Sequence, residues 1–352
     1  MKERDPCWDK LTGMKRICVV AAAVASVSFL GAAADGPPQA EIKNGLITAK
    51  FYLPESKRGF YRGTRFDWSG VIYSLTANGH EYYGPWFDKF DPAVHDFVYR
   101  DGAIVAGPCS AITGPVDEFG EVGYEEAAVG GTFIKIGIGA LRKASDGKYD
   151  NYHVYEVANG GKWQIHKDRD GIEFIQQLRD VSSGYGYVYQ KSIRLTGNKT
   201  EMLLSHTLKN TGKKAIHTKV YNHNFLVLDH KPVAEGTTIS VPFAIHTGEA
   251  PKKQLAEING QRVRYLVTLE GEEVVATRLE GFGSSPSDSQ IRIEDAAAGA
   301  GMSIESDRPL FQESLWSIRS VLAMEPYTSI TVEPGKEFSW TTTYEYYAIL
   351  PH

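Results

Sequence analysis

Cysteine is scarce in this chain. Its 352 residues hold three, and Cys7 and Cys18 lie within the first twenty. Without that segment only Cys109 remains, so no internal disulfide can form and a large core must hold the fold together. No Cys/His cluster has structural-zinc spacing, and nothing calls for a metal or another cofactor. An excess of one charge is missing too: 43 acidic residues face 38 basic ones, for a formal charge of -5. That balance offers no electrostatic footprint for nucleic acid or an anionic membrane. There is no Gly-x-Ser-x-Gly elbow, no phosphate loop and no dinucleotide fingerprint after a strand. Helical periodicity is almost absent.

The one long apolar run is N-terminal. Lys15-Arg16 is followed by apolar Ile17 to Leu30 and then by small residues from Gly31 to Ala34. This is the order of a secretory signal. The run is short of the roughly 20 residues a membrane span needs. Residues 1–34 are therefore expected to be a signal peptide, with Met14 as an alternative start and cleavage near Ala34-Asp35. The product would be exported, to the periplasm or the extracellular space. Residues 35–352 show no repeat or low-complexity tract and are expected to form a single domain.

What is plentiful is glycine, at 35 residues, and aromatics, at 11%. Both suit a sheet protein with many turns. Gly70 to Leu75 and Glu81 to Trp86 predict a hairpin about Ala77-Asn78-Gly79, because Asn-Gly readily takes the φ > 0 turn conformations. Strands are also expected at Tyr185 to Leu195, Met202 to Lys209, Ala215 to Leu228, Trp316 to Met324 and Phe338 to Tyr347. Residues 87–131 look irregular, and a segment that long without periodicity points to function. The spacing of strands and turns argues for an all-β chain folded as a large antiparallel β-sandwich.

Four constellations could carry chemistry. Asn222-His223-Asn224 interrupts the apolar and aromatic run Val220 to Leu228. Imidazole titrates near neutral pH, so His223 there is a candidate proton donor or acceptor, or equally a satisfied core histidine. Glu325, in Ala323-Met324-Glu325-Pro326-Tyr327, follows the apolar stretch Ser317 to Met324. A desolvated carboxylate there would have a raised pKa suited to a base, although spacing alone favours an ordinary surface glutamate. In Gly59 to Trp68, Arg65 offers donors for sugar hydroxyls and Trp68 a face for a pyranose ring, or the stretch is a turn-rich edge with solvated Arg. The loop residues His95-Asp96 and Asp117-Glu118 set carboxylates and an imidazole where they could bind hydroxyls. They do not form a metal spacing. His153, His166, His206 and His217 read as strand residues without a role.

Together these segments resemble the aldose 1-epimerase (galactose mutarotase) superfamily. The segment Asn222-His223-Asn224-Phe225-Leu226-Val227-Leu228 is similar to that family's mid-chain Asn-His strand, with Leu226 replacing an aromatic. Glu325-Pro326-Tyr327 is similar to its late glutamate. Pro334-Gly335-Lys336-Glu337 and Trp340 to Tyr347 are similar to its closing turn and strand. The family's Asn-Arg pair and second histidine have no clear counterparts, and Arg65 and His95 stand in by order only.

The resemblance implies a galactose mutarotase-like supersandwich that interconverts sugar anomers by acid/base ring opening. On that reading Glu325 is the base and His223 the acid, on opposite sides of the sugar. Arg65, Asn222, His95 and Glu118 would orient hydroxyls, and Trp68 would stack. The partner would be a mono- or oligosaccharide. The same fold also suits a secreted carbohydrate-binding protein without turnover, or a glycan lyase or hydrolase using Glu118, Asp117 or loop tyrosines. A phosphosugar substrate is disfavoured, since no Arg/Lys phosphate clamp is evident.

Overall fold

The computed structural model describes residues 36–349. The expected signal peptide, residues 1–34, lies outside them. The described residues are strands and loops, broken by two short 3-10 turns, Leu228–His230 and Pro286–Ser289. Among them no helix is long and apolar enough to cross a membrane.

Two large antiparallel sheets dominate. The larger has ten strands. Its centre runs Gly171–Arg179, Gly186–Leu195, Glu201–Asn210 and the C-terminal Glu337–Ala348. These sequences alternate with period two, as a half-buried strand requires. Thus Tyr187, Tyr189, Lys191 and Ile193 all face inward. The second sheet has five strands, in the order Val274–Leu279, Gln312–Ile318, Val321–Val332, Ile216–His223 and Val116–Phe119. Side chains from both sheets share the core. Phe119, Val220 and Ile330 of the smaller sheet pack with Tyr187, Leu208 and Trp340 of the larger. The chain is an all-β sandwich, as its spacing predicts.

The Asn-Gly hairpin forms between Val71–Ala77 and His80–Glu81, with Asn78 and Gly79 at φ of 53° and 85°. Its second strand is shorter than expected and ends at Glu81. Trp316 to Met324 is not one strand. Ile318 pairs with Val321, and the chain reverses at Arg319-Ser320. That turn has no Gly, Pro, Asn or Asp, and both arms are apolar, so the two strands read as one. Glu325 consequently lies inside the Val321–Val332 strand rather than at its end. Residues 87–131 are also more regular than expected. They contain a small sheet of Lys89–Phe90, Phe97–Arg100 and Ala103–Ala106, and then the edge strand Val116–Phe119.

Candidate functional site

One face of the five-stranded sheet carries the candidate chemistry. Tyr221 pairs with Tyr327, and the same register resumes at the bridge between Leu226 and Leu322. That register sets His223 across from Glu325. Directly opposed residues of an antiparallel pair point to the same face, and His223 Nε2 lies 3.2 Å from Glu325 Oε1. On the other side Tyr221 pairs with Glu118. Glu118, Tyr221 and Tyr327 thus form one row, with His223 and Glu325 in the next.

Between those two registers the ladder opens. Phe225 N–H donates to His223 O at 2.9 Å, and Leu226 N–H to Asn224 O at 2.7 Å, which kinks the chain. Pro326, which has no N–H to give, sits beside this gap. Proline is otherwise excluded from a central strand. The Asn224 side chain fills the break: its amide donates to Met324 O at 2.9 Å, and its oxygen accepts from Tyr344 Oη at 2.8 Å. The kink also stacks Phe225 on the His223 ring, with centroids 3.6 Å apart. His223 Nδ1 has no hydrogen-bond partner, so stacking and Glu325 hold the ring.

These residues floor a cleft of about 330 Å³, within the range of small-molecule sites. Trp316, on the neighbouring Gln312–Ile318 strand, extends this floor, and the walls come from elsewhere: Arg65, Trp86, Asp96, Ser110 and Tyr152. Trp316 meets the His223 ring edge-on at 5.8 Å. The Arg65 guanidinium lies over Tyr152, 4.8 Å from its centroid. Asp96 accepts a hydrogen bond from Ser110 Oγ.

The electrostatics separate the groups. Arg65 Nε donates to Glu118 Oε2 at 2.6 Å, and Tyr221 Oη donates to the same carboxylate at 2.5 Å. Burial works against both charges, but Glu118 holds Arg65 protonated and Arg65 holds Glu118 ionised. Glu325 has no cation paired with it; Tyr327 Oη donates to its Oε2 at 3.5 Å. Burial pushes it up to about 7, Arg65 pulls against that, and Glu118 adds to it. His223 is driven the other way. Burial first, and then the Arg65 charge, hold its pKa well below the usual imidazole value. Near neutral pH the ring is neutral and Glu325 is close to half-protonated.

The opposite face of the sheet belongs to the core. Asp117, between Val116 and Glu118, meets Lys191 Nζ at 2.7 Å and His206 Nε2 at 3.0 Å. Burial would raise its pKa, but these two groups outweigh that and keep it low. Lys191 also reaches Asp67 at 3.3 Å. Glu313, across from Pro326, is fully buried without a hydrogen bond of good geometry. Burial, and then the charge on Glu325, raise its pKa far above the carboxylate range.

Of the residues singled out from sequence, Arg65, His223 and Glu325 line the cleft together, and Glu118 stands behind Arg65. Asn222 does not join them. Strand alternation turns it to the core, where its amide donates to Asp117 at 2.7 Å. The same alternation, read from His223, gives this outcome from sequence alone. Trp68 is buried in a second core cluster and donates to Gly63 O at 2.8 Å, away from the cleft. His95 is exposed and pairs with Asp150 at 2.9 Å, while its neighbour Asp96 turns into the cleft. Among the described residues no group of three or more acidic, His or Cys side chains could hold a metal ion. Trp316 and Tyr152 also line the cleft, and neither falls in a motif that would single it out.

No known family profile matches the sequence, and no curated protein matches it by sequence. Solved structures do match the fold. The Slr1438 protein from Synechocystis superposes with a TM-score of 0.53 at 13% identity, covering 89% of this chain and 97% of its own. A GalM/aldose epimerase homologue from C. elegans gives 0.52 at 12%, covering 89% and 99%. A galactose mutarotase related enzyme from Lactobacillus acidophilus gives 0.50 at 11%, covering 90% and 99%. The chain has the galactose mutarotase-like fold.

Proposed function

We propose that this protein interconverts the anomers of a free, uncharged sugar by acid/base ring opening. The observation that carries this reading is the His223–Glu325 pair in an aromatic-walled cleft, with Glu325 poised at about 7. A group titrating near the working pH can both give and take a proton, which ring opening and closure demand. Trp316, half-buried in the cleft lining, offers a flat apolar surface for a pyranose ring. Among the described residues Arg65 is the one cationic side chain lining the cleft, and it is already engaged by Glu118, which disfavours a phosphorylated ligand.

The roles differ from a simple acid and base facing one another. A sugar cannot stand between groups 3.2 Å apart, so His223 and Glu325 work on one side of it. With the imidazole held neutral, Glu325 is the group that exchanges the proton, and His223 orients it.

The test is Glu325→Gln. Loss of a positioned proton-transfer group costs ~10²–10⁴ in rate. Polarimetry on freshly dissolved aldoses should show that loss, with sugar binding retained by NMR titration. A near-wild-type rate sinks the proposal. Tight binding of an oligosaccharide by the wild type, without any change in anomer exchange, supports a binding protein instead. New reducing ends would support glycan cleavage, although Asp117 is sealed in the core and Glu118 is locked by Arg65 and Tyr221.

A further inference from the structure

Ring opening needs two proton transfers at two different oxygens. On the sheet floor the Tyr221 hydroxyl is spent on Glu118 and that of Tyr327 on Glu325, which leaves the His223–Glu325 pair. His223 and Glu325 touch, share one face and act as a unit. The second group must come from a wall. Among the described residues three titratable side chains line the walls of the cleft away from the sheet: Arg65, Tyr152 and Asp96. Arg65 is held charged by Glu118, and burial raises the Tyr152 phenol. Asp96 is the remaining carboxyl. It arrives on the loop just before the Phe97–Arg100 strand, outside the five-stranded sheet that carries Glu325. It is built in, not merely present. Ser110 Oγ donates to its Oδ1, and Gly107 N–H donates to its backbone oxygen at 2.7 Å. A Cβ on Gly107 would stand 3.0 Å from that same oxygen and closer still to Val94 O. The loop is thus pinned on both sides of the carboxyl.

We propose that Asp96 is the second proton-transfer group of this site, reaching the sugar from a loop wall of the cleft and not from the His223–Glu325 floor. The inference rests on the anomer-exchange reading above. Asp96 as the carboxylate takes the C1 hydroxyl proton, and the O–H electron pair forms the carbonyl. The bond from C1 to the ring oxygen breaks, its pair goes to that oxygen, and the oxygen takes the proton from Glu325. After rotation about C1–C2 the ring oxygen attacks the other carbonyl face. Its proton returns to Glu325, and Asp96 returns its own to the C1 oxygen. Both carboxyls end as they began. Burial raises Asp96, and the Ser110 hydroxyl works against that rise. Ser110 is therefore a positioning residue that favours the basic form.

The test compares three variants by NMR magnetisation exchange between anomers of neutral aldoses, with binding measured separately. Asp96→Asn should lower exchange at least ~10²-fold with sugar affinity changed less than tenfold. Ser110→Ala keeps the carboxylate and should move the acidic limb of the pH–rate profile upward. If Glu325→Gln abolishes exchange while Asp96→Asn does not, the Asp96 assignment alone is overturned. If Ser110→Ala leaves the profile unmoved, the assignment is likewise overturned, even where Asp96→Asn fails to fold. If Glu325→Gln also retains full exchange, the anomer-exchange reading itself fails.

Discussion

Glu325 Oε1 and His223 Nε2 are 3.2 Å apart on neighbouring strands, and the two groups shift in opposite directions. Each is pushed toward its neutral form. This has a thermodynamic signature apart from any activity. Between about 4.5 and 7 the unfolded chain releases the Glu325 proton while the folded chain keeps it, so stability falls as pH rises through that window.

Glu325→Gln removes that loss. The variant should be more stable than the parent at pH 8, by up to about 3 kcal/mol, and the difference should vanish near pH 4. Urea midpoints at the two pH values measure it. An equal difference at both would place Glu325 in a solvated setting. His223 contributes the reverse slope: its share of stability is present above pH 6.5 and lost as the pH falls.

Arg65→Gln should raise the Glu325 titration above about 7, because the Arg65 charge is what pulls it down. It should also cost about 3–5 kcal/mol, since Glu118 is left buried without its cation. A 13C titration of the Glu325 carboxyl reports the first effect, and chemical denaturation the second. A downward shift would contradict the electrostatic account of the cleft.

Asn224→Ala should destabilise the protein by about 1–3 kcal/mol, because the Met324 carbonyl and the Tyr344 hydroxyl lose their buried partner. The urea midpoint reports this directly. Asn224→Asp should not restore stability, since it offers no donor to Met324 when ionised.

Glu313→Met should stabilise, by about 1–3 kcal/mol, with a larger gain at pH 8 than at pH 5. A fully buried carboxyl with no good hydrogen bond is replaced by an apolar chain of similar length. A midpoint that falls at both pH values would reveal an unrecognised partner for Glu313.

The sheet fold was legible because period two persists through segments such as Gly186–Leu195, where one face is buried along its length. His223 and Glu325 were legible because each interrupts an apolar run with a titratable group. Their contact was not, since it depends on a pairing register fixed by the Arg319-Ser320 reversal, which carries no turn signature. The wall was the least legible part. His95 and Asp96 are adjacent polar residues in a loop, and only the backbone path decides which of them enters the cleft. Arg65 fell on the right side of such a choice and Trp68, three residues on, fell on the wrong one.

The edge strand Val116–Phe119 gives its second residue to the core and its third to the site: Asp117 to Lys191 and His206, Glu118 to Arg65 and Tyr221. A slip of this strand by one position would exchange the two. The acid that neutralises a buried lysine would then face the cleft, and the one that anchors Arg65 would face the lysine. Because both are carboxylates, overall charge would not change, yet both networks would lose their geometry together. The two carboxylates and their four partners therefore lock the alignment of the sheet edge as a two-key lock does, and insertions should be tolerated beside this strand but not within it.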